Sequence, residues 1–294
     1  MKKSLIVLSL SLLIFAPIFA QDASEPEYDI FTTSILIENQ TVTSPYKGMI
    51  EMHILHRFSL IENIKDLCGI YGAANSKIGL SFGVTDRLMI GVGTSKYYKL
   101  QDLNWKYAIL RQTTDNSMPI SLSYFGNMVL DARPDGSFGP EESYRFIHRL
   151  SYFTQFIIAR KFNDKLSLQV APSAIYFNSV PHYTPYNDAD YTIGCDNFNI
   201  GLHLGGRYRV RHNHAIMLEY DQLLTQNKGL KERRDELKPK PNLTFGYEIG
   251  TPTHAFQLFV TNFTNVINQY NFLYNQNDFT DGKYLFGFNI IARF

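Results

Sequence analysis

The sequence predicts an all-β fold, a transmembrane antiparallel up-and-down β-barrel of about 12 strands. Three observations carry this. Apolar and polar residues alternate with period two through twelve separate segments. The connections between those segments alternate between long and short, apart from a moderately short link at 97–101, which sorts them to opposite ends of an up-and-down sheet. After residue 20 no apolar run reaches the roughly 18 residues that a membrane-spanning helix needs.

The chain opens MKKSLIVLSLSLLIFAPIFA, with basic Lys2 and Lys3, an apolar run over 5–15 and small Ala20 at the end. That pattern reads as a cleavable secretory signal over residues 1–20. An uncleaved anchor would want a longer run. No Cys follows the expected cut, so no lipidated N-terminus is expected. Removing the signal leaves 26 basic against 27 acidic residues. Such a balance argues against nucleic acid as a partner, which usually needs a basic face. Hydrophobic residues at 45% and aromatics at 14% argue against disorder.

Residues 21–47 are polar, contain Pro26 and Pro45 and hold no period, so they read as a periplasmic N-terminal lead-in to a barrel over 48–294. The first strand segment, 48–58, sets Ile50, Met52, Ile54 and Phe58 against Glu51, His53 and Arg57. Segments 76–84 and 87–96 alternate as cleanly. The pattern continues through 102–112, 118–131, 144–162, 165–177, 197–209, 214–225, 241–250, 254–263 and 283–294. Alternation is weakest in 48–58 and 118–131.

Tight links at 85–86, 163–164, 211–213 and 251–253 suit hairpin turns. Links at 59–75, 132–143, 178–196, 226–240 and 264–282 are long and polar. A soluble sandwich has no reason to sort its loops this way. An outer-membrane barrel has short periplasmic turns and longer external loops.

The polar face decides which side meets lipid. A soluble barrel exterior is usually rich in Lys and Glu, whereas here the polar face is mostly Gly, Ser, Asn and Gln with a few charges. In 197–209, Phe198, Ile200, Leu202 and Leu204 oppose Asn199, Gly201, His203, Gly205 and Arg207. A Lys or Arg on the lipid face at mid-membrane would cost about 2–4 kcal/mol. Counting by two places Glu51, Lys106, Arg145, Arg149, His203, Arg207, Glu219, Asp221 and Glu248 on the inner face. These are the candidate lumen-lining residues. They either line a route for anionic solutes or pair with one another and fill the lumen; pairing is the favoured reading, because an unpaired buried charge is costly.

The last segment ends the chain on an aromatic residue. Tyr284, Phe286, Phe288 and Phe294 share one face, opposite Leu285, Gly287, Asn289, Ile291 and Arg293. A terminal strand closing with Phe resembles the signal that outer-membrane barrels offer the barrel-assembly machinery.

Catalytic chemistry finds little support. The eight histidines are scattered and no G-x-S-x-G elbow occurs. His212-Asn213-His214 lacks the spacing of a structural zinc site, and no Gly-rich nucleotide loop follows a strand, so no metal and no cofactor are expected. Asp131, Asp135, Glu141 and Glu142 read as solvated loop acids. The two cysteines, Cys68 and Cys195, either pair or remain partly buried thiols. The mixed-charge run at 231–240 reads as a solvated loop. The Tyr-rich run at 176–191 suits a glycan, a partner or an ordinary external loop.

Three stretches, FTTSILIENQTV (31–42), KGMIEMHILHRF (47–58) and DLCGIYGAANSKIGLSFGVTDRLMIGVG (66–93), resemble the DUF5777 family of β-barrel proteins from Bacteroidota-type bacteria. The resemblance is most specific over 31–93, although an aromatic often stands in that family where this chain has Cys68. It implies a barrel in the outer membrane and imports no activity or site residues. The expected function is a small channel or passive transporter for small or lipophilic solutes. The alternatives are a non-conducting barrel that docks an envelope protein through its loops or lead-in, and, third, an outer-membrane enzyme. The expected surroundings are outer-membrane lipid.

Overall fold

The computed structural model describes residues 24–63, 65, 67–138, 140–180, 182–183, 193–194, 196–225 and 238–294. The expected signal, Cys195 and most of the 176–191 and 231–240 runs lie outside the described residues. The wall consists of β1 (Ile50–Leu60), β2 (Asn75–Gly83), β3 (Leu88–Ser95), β4 (Leu100–Leu110), β5 (Ser121–Asp131), β6 (Leu150–Lys161) and β7 (Leu166–Phe177). A two-residue ladder, β8 (His182–Tyr183) and β9 (Ile193–Gly194), stands apart from it. The wall then resumes with β10 (Phe198–Arg211), β11 (His214–Leu223), β12 (Asn242–Gly250), β13 (His254–Thr261) and β14 (Leu285–Arg293). Every neighbouring pair is antiparallel, and β14 pairs with β1 to close the ring. Among the described residues no helix is long and apolar enough to cross a membrane.

The alternation seen in the sequence is the alternation of the wall. In β2, Ile78, Leu80 and Phe82 are exposed on the outside, while Asn75, Gly79, Ser81 and Gly83 are buried inside. Leu258 and Phe245 are 64% and 58% exposed, which in water would forfeit most of the gain from burying them. Such an exterior suits hydrocarbon, and a closed ring leaves no unpaired strand edge in it.

Two expectations about elements are corrected. Residues 144–149 are not strand: short 3-10 turns occupy Glu141–Ser143 and Phe146–Arg149, and β6 begins at Leu150. The segment read as a lead-in does not stay outside the barrel. Residues 24–29 run along the rim, with Glu27 N–H bonded to Gln112 O at 2.7 Å, and the chain then enters the lumen. From Ile30 to Val42 all but Thr32 are buried. Thr41 N–H bonds to Ser34 O and Leu36 N–H to Asn39 O, each at 2.8 Å, so the segment doubles back as a hairpin.

A second insertion comes from the opposite end. The link between β13 and β14 folds inward and forms α1 (Asn268–Tyr274), of which every residue but Tyr274 is buried. A barrel of about eight strands is filled by its own wall side chains. Twelve strands leave room, and the hairpin and α1 occupy it.

Candidate functional site

The hairpin is tied to the wall at its tip and along its arms. The tip turn directs three backbone N–H groups, from Ile37, Glu38 and Asn39, at the Glu219 carboxylate at 3.1, 3.1 and 3.2 Å. Successive N–H groups converging on one anion form a nest, here filled by a wall side chain. The Asn39 amide donates to Asp221 at 3.0 Å, and Asp221 also meets His203 Nδ1 at 2.7 Å. Glu38 pairs with Arg57 at 2.9 Å. Arg57 is fully buried, donates to Asn289 at 2.9 Å and lies over the Phe259 ring at 4.4 Å.

The arms are held by opposite charges. The Lys106 ammonium donates to Ser34 O, Thr41 O and Thr43 O at 3.1, 2.9 and 2.5 Å and to the Gln40 side chain at 3.1 Å. An ammonium has three hydrogens to share among these acceptors, so it acts as a clamp across both arms. Across the lumen Glu51 accepts from Ser34 N–H at 3.2 Å and from Arg293 at 3.0 Å. Glu248 accepts from Arg207 at 2.9 Å, Gln257 at 3.1 Å and the Thr32 hydroxyl at 2.6 Å.

The wall therefore turns Glu51, Lys106, His203, Arg207, Glu219, Asp221 and Glu248 inward and buries each of them. Two candidates sit elsewhere. Arg145 is exposed in the 132–149 loop, because the alternation that placed it inside runs past the end of β6. Arg149 lies in that loop too, in a cavity at the long-loop end, with its Nη1 on Asp131 O at 2.8 Å and its Nη2 on Asp135. The Tyr144 hydroxyl, and then Asp135, hold the Arg149 guanidinium above its ordinary value. Cys68 is a half-buried free thiol. On β14, Phe286 and Phe288 point outward, Phe288 stacked on His56, and Phe294 exchanges backbone bonds with Ile50 at the closing seam at 2.9 and 3.0 Å. The Tyr284 hydroxyl caps Phe279 O at 2.7 Å.

Sequence reasoning left out Glu38, because it assigned the whole of 21–47 to the outside. It put Arg57 on the inner face without naming it a site residue. Asp102 and its partner Lys77, 3.0 Å apart on the inner wall, were also missed, although their period-two position could have found them.

One serine and one histidine do meet in the lumen. Ser34 Oγ lies 3.2 Å from His53 Nε2, and the same Nε2 lies 2.8 Å from Glu51. A proton relay needs the acid on the other ring nitrogen, so that the ring passes a proton through. With both partners on one nitrogen, the cluster serves as an anchor for the hairpin arm.

Two cavities flank the insertions. One of about 440 Å³ lies at the turn end between Tyr28, Tyr46, Arg209 and Arg293. The other, about 550 Å³, lies at the long-loop end between Tyr98, Phe138, Tyr270 and Arg133. Between them stand the hairpin tip and α1, which touch where the Asn268 amide donates to Asn39 Oδ1 at 3.2 Å.

The barrel is similar in overall shape to several solved outer-membrane proteins. The NanC porin, at 7% identity and TM-score 0.49, aligns over 83% of this chain and 98% of its own. The KdgM porin, at 7% and 0.47, aligns over 84% and 99%. An outer membrane channel from Pseudomonas putida F1, at 10% and 0.48, aligns over 85% and 96%. No curated protein matches the chain. The family described as membrane bound beta barrel domain, DUF5777, matches residues 31–294, a span that takes in the hairpin as well as the wall. The chain belongs to that family of membrane-bound β-barrels.

Proposed function

We propose that the chain is a passive channel for small solutes in the bacterial outer membrane, closed at rest by its own hairpin. The observation that carries this reading is the way the hairpin is held. Its tip and arms bond to wall charges, above all Glu219 and Lys106. These are groups that water can take over when the hairpin leaves. Withdrawal would uncover a charged, hydrophilic lining of the kind that conducts. In this reading the long loops face outward, and the turns, the hairpin entrance and the last residue face the periplasm.

One observation favours a second reading. The lumen holds two insertions in contact, which suits a non-conducting barrel that offers its loops or rim to an envelope partner. Planar-bilayer recording separates the two. The full chain should conduct rarely, and a variant lacking residues 30–43 should conduct steadily. A folded, inserted deletion variant that stays silent would sink the channel reading and favour docking.

A further inference from the structure

The cavity at the long-loop end is built differently from the rest of the lumen. Its floor is α1, whose Tyr270 and Tyr274 rings stack 5.1 Å apart at 22°. Tyr98 stacks on Tyr270 at 5.5 Å, and Phe177 packs edge-on to Tyr270 at 5.2 Å. Tyr98 reaches this position from a left-handed backbone, φ 58°, followed by Lys99 at φ 50°. Such conformations are costly for residues with a side chain, so the tight 96–99 link holds strain that places a ring in the mouth.

Beside the rings lies a planar polar pair. Asp131 is buried at the end of β5 and takes Arg133 Nε at 3.0 Å and Nη2 at 2.6 Å. Nη1 has no hydrogen-bond partner among the described residues, and Arg133 is a third exposed. The guanidinium also lies 4.4 Å over the Tyr98 ring, which fixes its plane. Arg149 pairs with Asp135 at the same cavity. Among the described residues each of the two guanidiniums is thus matched by a carboxylate, which favours an uncharged solute over an ion.

We propose that this cavity binds a neutral sugar of one or two rings. A sugar ring offers C–H faces to aromatic rings and its hydroxyls to a planar donor. The partly exposed Tyr98, Tyr274 and Phe138 rings supply the first, with buried Tyr270 packed behind them, and the Arg133 guanidinium, held in place by buried Asp131, supplies the second. A volume of about 550 Å³ accommodates a disaccharide. The inference takes only the outward orientation of this end from the channel reading.

The test is calorimetric titration of the folded full-length chain in detergent with maltose, lactose and cellobiose, and with glucuronate as the charged comparison. At least one neutral disaccharide should bind saturably and more tightly than glucuronate. Tyr98→Ala and Arg133→Ala should each weaken it by about tenfold or more. Tyr98→Phe should keep most of the affinity, and Glu141→Ala, exposed in the same loop, should change nothing. Should Tyr98→Ala fail to fold, Phe138→Ala removes a lining ring from the loop instead. The proposal falls if none of the three disaccharides binds, if the alanine variants bind as before, or if glucuronate binds more tightly. Binding is read without current, so its failure and that of the channel reading are separable.

Discussion

Hairpin and helix both fill the lumen and share one apolar cluster, in which Phe31, Leu36 and Ile37 join Phe272 and Leu273, but their polar anchors differ. The hairpin enters from the turn end, and its polar anchors are acidic and basic wall groups whose partners are largely its own backbone. α1 enters from the long-loop end and is fixed mostly by rings. Phe272 stacks on Phe153 at 6.1 Å, and Leu273 is fully buried. Its polar anchor is an amide pair, Gln269 to Asn127 at 2.9 Å and back at 3.2 Å. Burying a Phe or Leu side chain contributes about 1.5–3 kcal/mol whether or not any one wall residue is altered. A hydrogen bond to a charged group contributes about 1.5–3 kcal/mol and vanishes with that one group. The comparison teaches that single substitutions should release the hairpin while α1 yields only to changes of shape.

The largest effect is expected at the clamp. Lys106→Met removes the charge that both arms share and leaves Thr41 O, Thr43 O and the Gln40 side-chain oxygen without their donor. At about 1–3 kcal/mol for each of these three orphaned acceptors, the hairpin seat should weaken by about 3–9 kcal/mol. Limited proteolysis should then cut within 30–43, and a hairpin as protected as in the parent chain would contradict the clamp.

Next comes Phe272→Ala, expected to destabilise the α1 seat by about 3–5 kcal/mol through the cavity it leaves. Hydrogen exchange should rise in Asn268–Tyr274 and stay low in the hairpin. Equal loosening of both insertions would break the comparison.

Glu219→Gln keeps an acceptor for the tip N–H groups but removes the charge, for about 1–2 kcal/mol at the seat. Open events in bilayers should become more frequent by about tenfold. Unchanged gating would remove Glu219 from the lock.

Gly201 sharpens the contrast from the wall side. A Cβ there would lie 2.5 Å from the Phe272 ring, so Gly201→Ala should displace that ring and α1 with it and leave hairpin protection unaltered. The smallest effect is expected from Asp278→Ala. This carboxylate caps Thr280 in the exposed part of the β13–β14 link, and its loss should leave the melting temperature unchanged.

The wall was legible because a strand between lipid and lumen must show opposite chemistry on alternate residues. Leu80 and Ser81, or Leu218 and Glu219, carry that signal locally. Arg145 and Arg149 were misplaced for the same reason: alternation persists beyond the hydrogen-bonded ladder into the turns before Leu150. Inner-wall charges such as Glu219, Asp221 and Glu248 could be read from strand parity, though not which charge each one meets.

By itself the sequence determined a closed barrel of about twelve strands, its lipid face and the parity of most of its inner charges, because each follows from period-two alternation between neighbours. Only the tertiary structure decided that residues 30–43 belong inside. The hairpin carries no period-two strand signature, and its lock to the wall joins Ile37 to Glu219, 182 residues away. Its buried backbone is satisfied by wall charges that meet it only after the ring has closed.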